Sequence, residues 1–243
     1  MNRTKIEYLD YCWNFVTGCN NWRDPKICGG GGSEFKCWAK SMAERFGRSF
    51  APCYNHQEFL SFTSPENPSR IGVCFTSDLF SNDFPVYSPL FDVIKMFPKH
   101  QYYFLTKCPW NLRKWGEFPD SAWVGVSVTN QRQHNQAIAI LAGVKAKHKW
   151  ISYEPLLENI NFTSPYALKG IDWVVIGGLS NQSSKKQPPR DWIDHIIENA
   201  HKFDVPVFIK NNLRCRFPEA ADMWPGKYRE RADKSTRSSV FKQ

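Results

Sequence analysis

The sequence lacks an apolar run of the roughly 18 residues that a membrane-spanning helix requires, so no transmembrane segment is expected. Its opening residues, MNRTKIEYLD, also lack the apolar stretch of a secretory signal. An unexported chain keeps its thiols reduced, so the 8 cysteines predict free thiols or metal ligands in a cytoplasmic protein. Closely spaced CxxC and HxxxH pairs, which are typical of zinc sites, are absent as well.

Acidic residues are in the minority, with 23 Asp and Glu against 32 Lys and Arg and a net charge of +9. Part of the excess is local, because residues 227–242 hold six basic side chains against two acidic ones. We treat 227–243 as a C-terminal tail, which fits either a solvated basic segment or an arm that binds phosphates. For the whole chain, the basic balance favours a nucleotide or a nucleic acid as a partner.

Short runs rich in β-branched and aromatic residues alternate with helical patterns over 1–226, which we predict to be a single βα-barrel-like domain. Most runs are apolar on both faces, which is typical of a parallel sheet covered by helices. The predicted strands are 12–17, 71–76, 101–106, 123–128, 149–153, 172–177 and 205–210. The predicted helices are 38–46, 88–97, 109–115, 131–141 and 190–202. Periodicity alone leaves a βα-barrel and a flavodoxin-like sheet both open.

Three cysteines, Cys19, Cys28 and Cys37, lie in a Cys-rich insertion at 19–37, just after the first predicted strand. Thiolates are soft ligands, and three of them can hold three irons of a [4Fe–4S] cluster and leave the fourth open. Both gaps between them are eight residues long, so the spacing also allows a zinc site completed by another cysteine, or plain buried cysteines. The run Gly29–Gly32 after Cys28 offers no packing surface, which favours metal binding there.

The segment WNFVTGC, the triplet Cys37-Trp38-Ala39 and the helix AERF resemble a phage-associated, three-cysteine-motif family of unknown function that is radical-SAM-like. That family opens with Trp-Asn-Pro-Val-Thr-Gly-Cys and closes the motif with Cys-Tyr-Ala. Later blocks match in order: TSDLF at 76–80, LTKCPWNL at 105–112, WVGVSVTNQ at 123–131, ISYEPLL at 151–157, DWVVIGGLS at 172–180 and VPVFIKN at 205–211. One departure is that radical-SAM enzymes typically have three and two residues between their cysteines.

The resemblance implies a partial, open TIM-like barrel of six to seven parallel strands. It also implies a [4Fe–4S] cluster held by Cys19, Cys28 and Cys37, with S-adenosylmethionine bound at the open iron and an electron donor as a partner. Reductive cleavage of S-adenosylmethionine would give a 5′-deoxyadenosyl radical that abstracts hydrogen from a substrate.

In βα-barrels the active site forms at the carboxyl ends of the strands, and polar or glycine residues follow every predicted strand here. As substrate-holding catalytic residues we predict Lys107, Glu154 and Lys210. As cofactor-binding residues we predict Trp38, Ser77, Asp78, Ser127, Gly177 and Gly178. Each also has an ordinary interpretation, such as a cap for Asp78, a surface position for Lys107 or a simple turn for the two glycines.

The sequence therefore predicts a radical-SAM-like enzyme that modifies a small molecule, a nucleotide or a nucleic acid, with no membrane partner. The alternatives are a zinc- or nucleic-acid-binding protein without radical chemistry, and a regulatory partner of a phage or host enzyme.

Overall fold

The structure is a computed structural model that describes residues 1–24, 26–28, 35–81, 84, 86–179 and 187–214. The run Gly29–Gly32 and the basic tail 227–243 lie outside the described residues. The single domain predicted for residues 1–226 stays a prediction.

A mostly parallel sheet of eight strands with helices forms the fold, which confirms the predicted α/β class. Its strands, in spatial order, are β1 (Asn2–Arg3), β2 (Tyr11–Trp13), β5 (Arg70–Val73), β6 (Gln101–Thr106), β7 (Ala122–Val128), β8 (His148–Tyr153), β9 (Trp173–Ile176) and β10 (Val207–Ile209). Strand β1 pairs antiparallel with β2 at one edge. All residues of β5, β7, β9 and β10 are buried, as the apolar runs predict for strands covered on both faces.

The first predicted strand, 12–17, is wrong as one element because the chain leaves the large sheet after Trp13. Val16–Thr17 forms a separate strand, β3, that pairs antiparallel with β4 (Cys53–Tyr54). Long-range hydrogen bonds cause this break: the Trp13 carbonyl accepts from Cys74 N at 2.9 Å, whereas the Phe15 carbonyl accepts from Asn55 N at 2.7 Å. Cys19 therefore follows β3 and not a strand of the large sheet.

The helices lie close to their predicted positions, with two short additions. They are α1 (Trp38–Arg45), α2 (His56–Leu60), α3 (Tyr87–Met96), α4 (Gln131–Leu141), α5 (Arg190–Lys202) and α6 (Asn211–Arg214). Short 3₁₀ helices cover Asn21–Arg23, Leu79–Ser81 and Pro109–Trp115. The last of these replaces the predicted α-helix at 109–115, with Pro109 at its first turn. Helix α5 buries Ile193, Ile196, Ile197 and Ala200, which recur at helical spacing and form its apolar stripe.

The chain divides into two compact units, which we describe separately. The first unit comprises the described residues of 1–127 and 139–149, and the second comprises 128–138 and the described residues after 149. Within the stretches that the structure describes, no helix has the length and apolar character needed to cross a membrane.

Candidate functional site

The turn that carries Cys19 depends on Gly18. Its φ of +71° lies in the left-handed region, and an added Cβ would lie 2.2 Å from the Ala51 carbonyl oxygen. Only glycine allows this close approach, which lets Cys19 N donate to the Phe50 carbonyl at 3.1 Å. The first cysteine is therefore fixed against the 50–51 segment of the first unit.

Cys28 lies near Cys19 through the 3₁₀ turn at Asn21–Arg23. Cys28 is buried, and its N donates to the Asp24 carbonyl at 2.9 Å. Burial raises the pKa of Cys19 to about 11, with further contributions from the negative charges of Asp78 and Cys28. The two predicted ligands and Asp78 are thus electrostatic neighbours, and the Cys19 thiol is protonated at neutral pH.

Cys37 occupies the N-cap position of α1, and Trp38 is the first residue of that helix. The Cys37 side chain makes no capping hydrogen bond, and Trp38 is 48% exposed. Among the described residues, no three His, Cys, Asp or Glu side chains lie close enough together to hold a metal ion. Cys37 is therefore not gathered with the other two thiols in this structure.

Asp78 is a buried carboxylate that receives hydrogen bonds from several segments of the first unit. One oxygen accepts from Asn21 Nδ2 at 2.7 Å and from Lys107 N at 2.8 Å. The other accepts from Thr106 Oγ1 at 2.7 Å and from Phe80 N at 3.2 Å. Burial raises the pKa of Asp78, and these hydrogen bonds together with the Lys107 charge oppose that rise.

The other predicted polar residues of this unit surround Asp78 in sequence and in space. Lys107 Nζ donates to Ser127 Oγ, so residues at the ends of β6 and β7 are joined. Ser77 Oγ donates to the Gly18 carbonyl, next to the first cysteine. The structure thus brings Ser77, Asp78, Lys107 and Ser127 to the segment that bears Cys19.

Asn21 and Cys108 join this cluster, although we did not assign either of them from the sequence. Asn21 N donates to Cys19 Sγ at 3.3 Å, and the Cys108 thiol donates to Asn21 Oδ1 at 3.2 Å. Burial raises the pKa of Cys108, and the nearby Asp78 and Cys19 charges raise it further. The position of Cys108 two residues after the end of β6 is a sequence signal for it, whereas an asparagine in a turn gives none.

Glu154 and Lys210 form the corresponding polar pair in the second unit. Lys210 Nζ contacts Glu154 Oε1, and both side chains are mostly buried. Lys210 N donates to the Ile176 carbonyl at 3.0 Å, which fixes the backbone after β10 beside β9. Ser152 lies two residues before Glu154, and its hydroxyl is buried with no hydrogen-bond partner among the described residues.

This chain's own side chains occupy the space beside Gly177 and Gly178. A Cβ at Gly177 would lie 2.8 Å from Glu154 Cδ, and a Cβ at Gly178 would lie 2.1 Å from Gln187 Oε1. Asn212 accepts from Gly178 N at 3.2 Å and donates to its carbonyl at 2.9 Å. Gln187 makes the same pair of bonds with Leu179, at 2.8 and 2.6 Å. Two amide side chains therefore hold this backbone, a contribution that the sequence did not indicate.

The predicted site residues thus form two groups, one in each compact unit. The first contains Ser77, Asp78, Lys107 and Ser127 with Cys19 and Cys28 nearby, and the second contains Glu154, Gly177, Gly178 and Lys210. That both groups face one cavity stays a prediction.

A family model described as "Protein of unknown function (DUF5131)" matches residues 3–230 of the chain. No curated protein matches its sequence. One similar solved structure is a spore photoproduct lyase with a tyrosine-to-phenylalanine substitution, 14% identical, with a TM-score of 0.46 over 72% of this chain and 57% of that one. Another is a cysteine-to-alanine variant of spore photoproduct lyase, 13% identical, with a TM-score of 0.47 over 93% of this chain and 77% of that one. This chain spans little more than half the length of the first.

Proposed function

For this chain, which belongs to the DUF5131 family of proteins of unknown function, we propose the activity of a radical-SAM-type iron–sulfur enzyme. Cys19, Cys28 and Cys37 are its cluster ligands, and S-adenosylmethionine is its cosubstrate. The substrate is a nucleotide, a nucleic acid or another small molecule. The association with phages belongs to this proposal, as do a cytoplasmic location and an electron-donor protein.

The observation that carries the proposal is the pair of neighbouring thiols at Cys19 and Cys28, held beside the polar ends of parallel strands. The seven described cysteines are thiols and not disulfides, as an iron–sulfur protein in a reducing compartment requires. Soft sulfur donors suit iron, and a bound metal ion displaces the thiol proton. The donor chemistry of this pair therefore fits the cluster.

Cys37, the third proposed ligand, has to move for the cluster to form. Because Cys37 is not grouped with the other two thiols, it has to approach them when iron binds. Cys37 stands at the start of α1, so this step involves the helix as well as the insertion. Metal binding that is coupled to local ordering is common among small metal sites.

When bound, a [4Fe–4S] cluster with an open iron would supply the one electron that cleaves S-adenosylmethionine into methionine and a 5′-deoxyadenosyl radical. The chain's own residues would bind and orient the reactants. Ser77, Ser127 and Trp38 of the first unit hold the cosubstrate in this proposal, and Asp78 keeps the segments around Asn21 and Lys107 in place. Lys107 contributes to substrate binding. The buried hydroxyls of Thr76 and Ser152, which have no partner among the described residues, are available to a bound ligand.

Anaerobic purification followed by iron and sulfide analysis tests the cluster. We expect about four irons and four sulfides per chain and a brown protein. Single Ala substitutions at Cys19, Cys28 and Cys37 should each remove iron. Two matched controls should keep it: Cys74→Ala, which changes a thiol that is 1% exposed, and Cys53→Ala, which changes an exposed one.

Cleavage of S-adenosylmethionine by the reduced protein tests the chemistry. We expect 5′-deoxyadenosine in the wild type and none in the three cysteine variants. A colourless protein with one zinc per chain would contradict the proposal and favour the alternative of a zinc- and nucleic-acid-binding protein, which the basic composition supports.

A further inference from the structure

Helix α1 presents an exposed apolar stripe next to the cysteine segment. None of its residues is buried. Trp38, Met42 and Phe46 are 48, 44 and 61% exposed and recur at intervals of four, so they lie along one side of the helix and its C-cap. Large apolar side chains that are exposed as a group commonly mark an interaction site.

Cations lie directly over aromatic rings of this region. The Arg48 guanidinium lies 5.9 Å from the centroid of the Phe46 ring. Lys40 Nζ and the Arg23 guanidinium lie 4.7 and 5.4 Å from the centroid of the Trp22 ring. We define the α1 surface as the side chains of Trp22, Trp38, Met42, Arg45, Phe46 and Arg48.

The charge of the segment matches an anionic partner. Residues 21–48 contain six Lys or Arg against three Asp or Glu. Arg45 and Arg48 are exposed, and Arg45 lies seven residues after Trp38, so it shares the side of the helix that carries the apolar stripe. Positive charge is therefore interleaved with the aromatic rings.

This interleaving decides between possible partners. A helix that lies on a lipid surface separates its cations from its apolar face. The excess of positive charge over residues 21–48 favours an anionic polymer over an average protein surface. Single-stranded nucleic acid instead presents stackable bases and charged phosphates in alternation along one strand. Trp38 and Phe46, eight residues apart, are separated by about 12 Å along a helix axis, which leaves room for separate base contacts.

We propose that the α1 surface binds single-stranded nucleic acid, with bases stacked on Trp38 and Phe46 and phosphates paired with Arg45 and Arg48. Trp38 is shared with the proposed cosubstrate site, whereas Arg45, Phe46 and Arg48 belong neither to the proposed ligands nor to that site. The proposed nucleic-acid contact therefore lies on the α1 surface and not on the basic tail.

The test measures fluorescence anisotropy of a labelled oligothymidylate of about 20 nucleotides with the full-length, anaerobically purified protein. Phe46→Ala should weaken binding by at least about fivefold, since a base–aromatic contact is lost. The double variant Arg45→Gln/Arg48→Gln should lower the slope of log affinity against log salt by about 1.4, because two phosphate contacts are removed.

A matched control comes from the second unit. Tyr166 is 60% exposed, and Lys169 Nζ lies 5.1 Å from the centroid of its ring, so this pair has the same chemistry without a stripe around it. Tyr166→Ala and Lys169→Gln should leave the affinity and its salt slope unchanged. Thermal unfolding of each variant checks that the chain folds, as these exposed positions allow.

Several results would overturn the inference. They are a wild type that binds no oligothymidylate at low salt, a Phe46→Ala variant with wild-type affinity, and a loss of binding only when Arg229, Arg231 and Lys234 of the tail are reversed in charge. Tight binding to phosphatidylglycerol vesicles through Phe46 without oligothymidylate binding would also overturn it. Iron content and S-adenosylmethionine cleavage, measured on the same Phe46→Ala protein, should be unchanged, which separates this site from the proposed enzyme activity.

Discussion

Asp78 is the residue that joins the cysteine segment to the strands of the first unit. Its two oxygens accept hydrogen bonds from Asn21, Phe80, Thr106 and Lys107, which come from three separate parts of the sequence. Because Asn21 also donates its backbone N–H to Cys19 Sγ, two hydrogen bonds through this one residue link the carboxylate to the first thiol. Its main effect is therefore to position the segment around Cys19.

Asp78→Asn should destabilise the protein by about 2–4 kcal/mol. The substitution puts an NH₂ group where one oxygen accepted hydrogen bonds, so buried donors are left opposite a donor. Urea unfolding followed by circular dichroism measures the change in free energy.

Asp120→Asn is the control for this substitution. The Asp120 side chain is 87% exposed and contacts Lys147 at 3.5 Å, so the same chemical change should alter stability by less than about 0.5 kcal/mol. Equal effects at the two positions would show that the Asp78 network contributes little.

The turn between β3 and the cysteine segment depends on one glycine, Gly18. Gly18→Ala should cost about 3 kcal/mol or more and should lower the iron content, because the added Cβ meets the Ala51 carbonyl and the residue has a positive φ. Iron analysis and urea unfolding of the anaerobic protein measure both effects.

Gly47→Ala is the control that separates the cost of a positive φ from the cost of a steric clash. Gly47 follows α1 with a φ of +62°, but an added Cβ would meet nothing within 4 Å. This variant should lose only about 1 kcal/mol and keep its iron. If both glycine variants behaved alike, the contact with Ala51 would have no role in placing Cys19.

The strand ends of the second unit are joined by the Glu154–Lys210 pair. A double-mutant cycle with Glu154→Gln and Lys210→Met should give a coupling energy of about 1–2 kcal/mol, since both side chains are mostly buried. The exposed i,i+4 pair Arg190–Asp194, at 3.1 Å, should give about 0.3–0.5 kcal/mol in the same measurement. A coupling no larger than that of the helix pair would mean that Glu154 and Lys210 do not stabilise each other.

Sequence patterns predicted the strands that the fold buries on both faces of the sheet. Strands such as β6 and β7 are continuous apolar runs, so Thr106, Lys107 and Ser127 could be placed at neighbouring strand ends without coordinates. The Asp78 contacts with Thr106 and Lys107 follow from that placement.

The parts that patterns missed are set by contacts between distant residues. Strand β3 has two residues and exists only because Val16 pairs with Tyr54, and no periodicity marks so short an element. Asn21 and Gln187 act through side-chain amides that reach backbone groups or carboxylates, and their types are ordinary in loops. The position of Cys37 relative to Cys19 depends on the stretch between them, for which the sequence gives no register.

Buried neutral histidines should make the free energy of unfolding of the protein fall in acid. His134 is 2% exposed and pairs with the Tyr153 hydroxyl at 2.9 Å, and burial lowers the pKa of His134 to about 4. The unfolded chain binds this proton below its ordinary pKa of about 6.5, so stability is fully present above that pH and is lost as pH falls toward 4. The loss from this group is about 3 kcal/mol.

His134→Gln should remove that share of the acid dependence in urea unfolding between about pH 4 and 7. Some dependence should remain, because burial also lowers the pKa of His100. His56→Gln, which changes an exposed ring, should follow the wild-type profile. A His134→Gln profile parallel to the wild type would contradict the assignment.

The strands of the large sheet follow one another in space in the order in which they occur in the chain, apart from β3 and β4. During synthesis, each strand that leaves the ribosome therefore meets a sheet whose last strand is already in place. Domains that can be assembled in this vectorial way need no late N-terminal partner. Until β10 is added, the strand at the growing edge is one that the finished sheet buries, as for β5, β7 and β9, and such an edge is open to pairing with other chains. Nascent chains that stall before β10 should therefore depend on chaperones more than the complete chain does.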